Sequence, residues 1–196
     1  MITSAPITYY KSFVQDPDAA FAALRDELKW EQRETPRQEY YCNDSPEAYV
    51  YGTGRGQRTY LPSPYHPIVR AMRADLEKLT GTVFEVCFLN RYLNKRNGLG
   101  WHADDSPVMD DARPIGIISL GSEREIWFRP NDREAAVESL KLGHGSLCLM
   151  APGMQDLWRH RIPKASFECG ERISLTFRGY VRSEQQLSNP EDNGTG

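Results

Sequence analysis

From Val83 onward the chain alternates short apolar runs with turn residues. This pattern predicts strands at 83–92, 115–120, 124–129, 137–142, 146–151, 157–162 and 171–181. Arg129-Pro130-Asn131-Asp132 and Gly143-His144-Gly145 read as turns between them. Many short strands without intervening helices point to a sandwich or jelly roll. Upstream, the period becomes helical. Asp16 is a natural cap and Pro17 suits a first helical position, after which Phe21, Leu24 and Leu28 share one face. A second helix is predicted from Pro67 to Leu79, with Ile68, Met72, Leu76 and Leu79 as its buried stripe and Gly81 as its stop. The fold class expected is α+β, mainly β, with N-terminal helices packed on a β core that spans about residues 83–181.

Residues 30–65 do not fit either period. Trp30, Tyr40, Tyr41, Tyr49, Tyr51, Tyr60 and Tyr65 are interleaved there with Arg33, Arg37, Arg55 and Arg58, and Gly52, Gly54 and Gly56 suggest turns or mobile loops. This G-x-G-x-G lacks the flanking strand and helix of a dinucleotide fingerprint. The segment from 184 to 196 is polar and reads as a disordered tail. One domain over residues 1–183 is the expected organisation, with residues 13–82 supplying helices and substrate-lid loops.

Composition narrows the class. Hydrophobic residues make up 39% of 196, enough for a globular core, and the formal net charge is −3. There is no bulk basic signal for nucleic acid, so any such contact rests on a local patch. No apolar run approaches the roughly 20 residues of a membrane helix, and Met1-Ile2-Thr3-Ser4 opens no signal peptide. Cys42, Cys87, Cys148 and Cys169 are scattered without a C-x-x-C pair, which favours a reduced, cytoplasmic compartment.

Two features carry chemistry. His102-Ala103-Asp104 places an imidazole and a carboxylate two residues apart. On a strand they face the same way, with Cα atoms about 7 Å apart. A third ligand from a distant strand would complete one face of an octahedron, the two-His, one-carboxylate set of non-haem Fe(II) oxygenases. His160, His66 and His144 are the candidates; His144 lies between two glycines and reads as a loop residue. The second feature is Arg172-Ile173-Ser174-Leu175-Thr176-Phe177-Arg178, which alternates strictly. Two arginines on the inner face of a barrel need anions, and a small dicarboxylic acid would satisfy both through bidentate contacts.

Taken together, Asn90-Arg91-Tyr92, Gly100-Trp101-His102-Ala103-Asp104-Asp105, His160 and the Arg172–Arg178 run resemble the AlkB family of Fe(II)/2-oxoglutarate dioxygenases. The similarity covers about residues 84–180. It implies a double-stranded β-helix core, with His102, Asp104 and His160 as ligands of Fe(II). It implies 2-oxoglutarate contacts from Asn90 and Tyr92, from Arg172 on the distal carboxylate and from Arg178 near the metal-binding carboxylate. Ser174 stands where relatives can carry asparagine. Relatives oxidise alkylated bases such as 1-methyladenine and 3-methylcytosine, releasing formaldehyde, succinate and CO₂.

The resemblance thus implies alkylated DNA or RNA as partner, in single strands or locally opened duplex. Such bases are cationic and attracted to aromatic faces. Tyr40, Tyr41 and Trp101 are the expected wall, and Asp105 resembles the acid that some relatives aim at an exocyclic amine. Arg33, Arg37, Arg55 and Arg58, with Lys95-Arg96, are the cationic clusters available to phosphates. The alternative is the same oxygenase chemistry on a protein side chain, lipid or small molecule. No membrane association is expected, and a monomer is.

Overall fold

A computed structural model describes residues 4–33, 35–51, 57–132 and 136–181. Gly52, Gly54, Arg55 and Gly56, and the expected tail at 184–196, lie outside the described residues. Two antiparallel sheets face each other. The larger contains β1 (Ile7–Tyr10), β11 (Ser146–Met150), β8 (Ile115–Gly121), β13 (Arg172–Arg178), β6 (Val86–Tyr92), β3 (Gln38–Asn43) and β2 (Glu31–Gln32), in that spatial order. The smaller runs β10 (Glu138–Leu142), β9 (Arg124–Pro130), β12 (Trp158–Ile162) and β7 (Leu99–His102). A hairpin of β4 (Tyr49–Tyr51) and β5 (Arg58–Tyr60) stands apart. This is the mainly β, jelly-roll architecture that the sequence predicts.

Helices α1 (Pro17–Glu27) and α2 (Pro67–Thr80) cover the outer face of the larger sheet. Asp16 caps α1 through a 3.0 Å bond from the Ala19 amide. Gly81, at φ 67°, ends α2 in the left-handed conformation that glycine adopts without strain. The buried stripe of α2 is Val69, Met72 and Leu76, while Leu79 is 43% exposed, so the stripe is rotated from the one expected. These side chains pack on Leu89, Ile118, Leu120, Ile173, Leu175 and Phe177. A second cluster fills the space between the sheets, from Ile115, Ile117, Ile126, Phe128, Cys148 and Ile162. The larger sheet is therefore buried on both faces, which explains the unbroken apolar run Ile115-Gly116-Ile117-Ile118.

The strand pattern departs from expectation mainly upstream of residue 83. β1 pairs with β11, and β3 pairs with β6 in full register from Gln38 opposite Arg91 to Asn43 opposite Val86. Neither was marked as strand, because β1 is short and β3 is largely polar. Val83 and Phe84 precede β6 rather than belonging to it, and a short helix, α3 (Met154–Leu157), leads into β12.

The packing of α2 gives the first test. Leu76 is fully buried between α2 and the sheet. Leu76→Ala is expected to cost about 2–5 kcal/mol of stability, read as a lower midpoint in urea denaturation, while divalent-metal binding at the inter-sheet site persists below the transition.

Candidate metal centre and substrate pocket

β7 and β12 lie side by side in the smaller sheet, with His102 opposite His160 and Leu99 opposite Ile162. Two residues separate Leu99 from His102, but only one separates His160 from Ile162. The extra residue is a β-bulge, which kinks β7 and re-aims its side chains. Leu99, His102, His160 and Ile162 consequently all face the space between the sheets. The rings of His102 and His160 lie 4.2 Å apart, and Asp104 Oδ2 is 3.7 Å from His160 Nε2. One donor atom from each of His102, Asp104 and His160 falls within 4.8 Å of the others. Asp104 lies just beyond the end of β7, so the loop after the strand, rather than the strand itself, brings it round.

The surroundings set the protonation of this triad. His102 Nδ1 is 2.8 Å from the Gly100 carbonyl. A proton on Nδ1 satisfies that contact and leaves Nε2 bare for a metal. Burial, followed by the charge of His102, pushes the His160 pKa down to about 3 against the opposing pull of Asp104, so this imidazole is neutral at pH 7. Burial works to raise the Asp104 pKa, but Arg178, His160 and His102 together hold it below its usual value. The Asp104 backbone is pinned at both ends. Its amide donates to Gln155 Oε1 at 2.9 Å, and its carbonyl accepts from Arg178 Nη2. Gln155, on α3, is a site residue that no sequence motif marks.

The triad opens into a cavity of about 290 Å³ between the sheets. Asn90, Tyr92, Ser174, Thr176 and Arg178 line its larger-sheet side, and Leu99, Ile126 and Ile162 the other. Arg172 is fully buried behind Tyr92 and Ser174. Its Nε donates to Ser119 Oγ at 2.8 Å and its Nη2 to Ser174 Oγ at 3.3 Å. Arg172 Nη1 and Arg178 Nε are buried without a hydrogen-bond partner. A buried guanidinium with an orphaned donor calls for an anion. Burial lowers the Arg172 pKa, as expected for a cation awaiting its counterion. The two-His, one-carboxylate donor set fits ferrous iron, and the orphaned guanidinium nitrogens fit a diacid such as 2-oxoglutarate. Asn90 Oδ1 accepts from Arg37 Nε at 2.6 Å, so its amide NH₂ remains free to donate into the cavity.

The expected substrate wall is partly corrected. Trp101 does not line the cavity. The bulge leaves it between the guanidinium groups of Arg129 and Arg161, at 4.4 and 4.9 Å from its ring. Tyr40 also faces away, packing against Trp30 in the helix-side core and donating to the Pro64 carbonyl. Tyr41 points the right way but is 3% exposed and backs the wall, 4.4 Å from the Phe88 ring. Asp105 is exposed and outside the cavity lining. Besides Tyr92, the lining aromatics are Tyr49, Tyr51, Tyr60 and Phe88. With them come Arg37, Arg58 and the buried Glu39, whose carboxylate is 3.0 Å from Arg37 and 3.9 Å from both Arg33 and Arg58. Lys95 is instead paired with Glu168. Glu39 could have been found from the alternation of Glu39, Tyr41 and Asn43 along one face of β3.

The buried His160 makes acid sensitivity predictable in the metal-free protein. Unfolded, the imidazole takes a proton near pH 6.5; folded, only near 3. Between those values the unfolded state binds more protons, so stability falls on acidification, by up to about 1.4 kcal/mol per pH unit for one group. Urea midpoints between pH 6.5 and 4 are expected to decline less steeply for His160→Gln than for the wild type.

The match to known proteins agrees with this geometry. Residues 7–178 match the family model of the 2OG-Fe(II) oxygenase superfamily. The chain is 29% identical over 192 residues to human alpha-ketoglutarate-dependent dioxygenase alkB homolog 3, covering 88% of this chain and 65% of that protein. It is 30% identical over 157 residues to mouse DNA oxidative demethylase ALKBH2, covering 76% of this chain and 63% of that protein. It thus spans somewhat less than two thirds of either relative. The solved structure of OsALKBH1 superposes with a TM-score of 0.64 at 15% identity, covering 92% of this chain and 99% of that one, a likeness of fold. The superfamily implies Fe(II) and 2-oxoglutarate as the groups that this donor set and these arginines accommodate. The chain belongs to the 2OG-Fe(II) oxygenase superfamily, and within it to the AlkB family.

Proposed function

We propose that the protein is an Fe(II)- and 2-oxoglutarate-dependent dioxygenase that removes N-linked methyl groups from nucleobases in DNA or RNA, of the 1-methyladenine and 3-methylcytosine type. One observation carries the reading: the His102, Asp104 and His160 donors and the Arg178 guanidinium share a single cavity with an aromatic wall of Tyr49, Tyr51, Tyr60 and Phe88. Relatives named as DNA oxidative demethylases support it.

In this reading His102, Asp104 and His160 hold the ferrous ion. Arg172, with Ser174 and Tyr92, receives the distal carboxylate of 2-oxoglutarate, and Arg178 and Asn90 the end nearer the metal. When bound, the pair supplies a two-electron oxidation of a methyl C–H bond by dioxygen, with 2-oxoglutarate leaving as succinate and CO₂. The resulting N-hydroxymethyl group splits to formaldehyde and the free nitrogen. The protein's part is positioning and exclusion. The Gly100 carbonyl fixes the tautomer of His102, and Arg178 and Gln155 hold Asp104. Leu99, Ile117, Ile126 and Ile162 keep the chamber apolar.

The aromatic wall suits a base withdrawn from its stack. Three arginines surround Glu39, and Arg33 is also paired with Glu31 at 2.7 Å, which leaves one positive charge in surplus near that wall. The surplus suits a backbone phosphate, and it answers the objection raised by a net charge of −3. The protein is taken as a cytoplasmic monomer built on one catalytic domain; the buried, unpaired thiols of Cys42, Cys87 and Cys148 support a reducing compartment.

A turnover assay tests the reading directly. Single-stranded oligonucleotides carrying 1-methyladenine, with Fe(II) and 2-oxoglutarate, are expected to release formaldehyde, and His102→Ala to release none. Formaldehyde no higher than in the His102→Ala reaction, across methylated DNA and RNA, would remove the nucleic-acid reading. Substrate-stimulated succinate release with peptides or nucleosides would then favour a different acceptor.

Tyr51 tests the wall. It is 37% exposed at the pocket, so Tyr51→Ala should leave stability within about 0.5 kcal/mol. Loss of one stacking contact, about 1–3 kcal/mol, is expected to raise KM for the oligonucleotide by about fivefold to a hundredfold. Succinate production in reactions without oligonucleotide is expected to be the same as for the wild type.

A further inference from the structure

Arg124 opens β9 and is 1% exposed, as deeply buried as Arg172. Its Nη2 donates to the carbonyls of Asn97 at 2.8 Å and Pro163 at 2.5 Å. Its Nη1 is buried and has no hydrogen-bond partner among the described residues. Among the described residues neither Arg124 nor Arg172 forms an ion pair with a carboxylate. Both guanidinium groups flank the same ring, with Arg124 Cζ at 5.7 Å and Arg172 Cζ at 5.2 Å from the centroid of Tyr92. Tyr92 lines the cavity. Two like charges held beside one ring, each with an idle donor, are unfavourable without an anion between or beside them. Mutual repulsion from Arg124 is one of the influences that lower the Arg172 pKa.

We propose that Arg124 is a second cationic anchor for the distal carboxylate of the co-substrate. With Arg172 and Tyr92 it makes the closed end of the chamber a two-guanidinium clamp that selects a dicarboxylic over a monocarboxylic 2-oxo acid. This rests on the dioxygenase reading and sharpens it. Arg172 is supplied by the larger sheet and Arg124 by the smaller, so the clamp ties the two sheets together through the ligand. It also places charge discrimination at the end of the chamber far from Asp104. A plain structural role for Arg124, as a staple of the Asn97 and Pro163 loops, uses only Nη2. It makes no demand on the charge of the ligand.

The test is binding rather than turnover. Protein loaded with Mn(II) under anaerobic conditions is titrated calorimetrically with 2-oxoglutarate and with 2-oxopentanoate, which has the same chain length but no distal carboxylate. The wild type is expected to prefer the diacid strongly. In Arg124→Gln, 2-oxoglutarate affinity should fall tenfold or more while 2-oxopentanoate affinity stays within twofold. Arg124→Lys, which keeps the charge, should retain most of the preference. Equal losses for both acids, or none for either, would leave Arg124 a staple and overturn the clamp. Should Arg124→Gln fail to fold, Arg124→Lys and the wild type still decide the matter. A wild type with no preference for the diacid, or a Lys variant that binds the diacid no better than the monoacid, also overturns it. Failure of the wild type to bind either acid would instead count against the dioxygenase reading itself.

Discussion

Arg172 and Arg178 enter the space between the two sheets from one strand, six residues apart, and neither leaves its charge in water. The apolar side chains between them, Ile173, Leu175 and Phe177, are spent on the opposite face, against the helices. A strand whose two faces are both buried cannot shift register by one residue, because the shift would drive the arginines into the helix-side core. The position of β13 is therefore strongly determined, and with it both ends of the cavity. Arg178 meets the Asp104 loop at one end, and Arg172 meets Tyr92 and Ser174 at the other. The separation of Arg178 from Arg172 is set by strand geometry.

The smaller sheet answers with a local irregularity. On a regular strand Leu99 and His102, three residues apart, would point to opposite faces of the sheet. The bulge lets Leu99 and His102 both point inward opposite Ile162 and His160. It also leaves the Gly100 carbonyl in reach of His102 Nδ1, so one backbone feature orients the ring and selects its tautomer. The triad carries one formal negative charge, on Asp104, beside the buried neutral imidazole of His160, the half-buried ring of His102 and the cation of Arg178. A divalent ion replaces the proton that His160 cannot hold.

These relationships were unequally legible in the sequence. The H-x-D pair and the alternation of Arg172–Arg178 are short-range patterns; the alternation appears on β13 as read, whereas His102 and Asp104 converge because the loop after β7, not the strand, carries Asp104. His160 sits among arginines on a short strand, and nothing local distinguishes it; only the family pattern identified it. Trp101 was misplaced because its neighbour is a metal ligand and nothing in Leu99-Gly100-Trp101-His102 beyond one glycine announces a bulge. Tyr40 and Tyr41 are adjacent on a strand, so at most one of them could face the site. Recognising β3 as a strand would have separated them and shown Glu39 beside Tyr41. Arg124 was invisible for a different reason. Its meaning comes from two carbonyls and a ring contributed by residues 27 to 39 positions away, or about as far as Tyr92.

The division of labour between the two halves of the chain follows from how each is held. Apart from Asp104, on the loop after β7, the residues around the triad and the buried arginines stand on β6, β7, β12 and β13, paired strands with closely packed neighbours. The aromatic and cationic groups around Glu39 stand on β3 and on the small hairpin of β4 and β5, which pairs with no other strand in either sheet. Fewer backbone constraints act there, so substitutions are absorbed more easily than in the chamber. The link between the halves is Arg37, which reaches Glu39 with one nitrogen and Asn90 with another. One guanidinium thus spans β3 and β6 and joins the carboxylate beside the aromatic wall to an amide that lines the cavity.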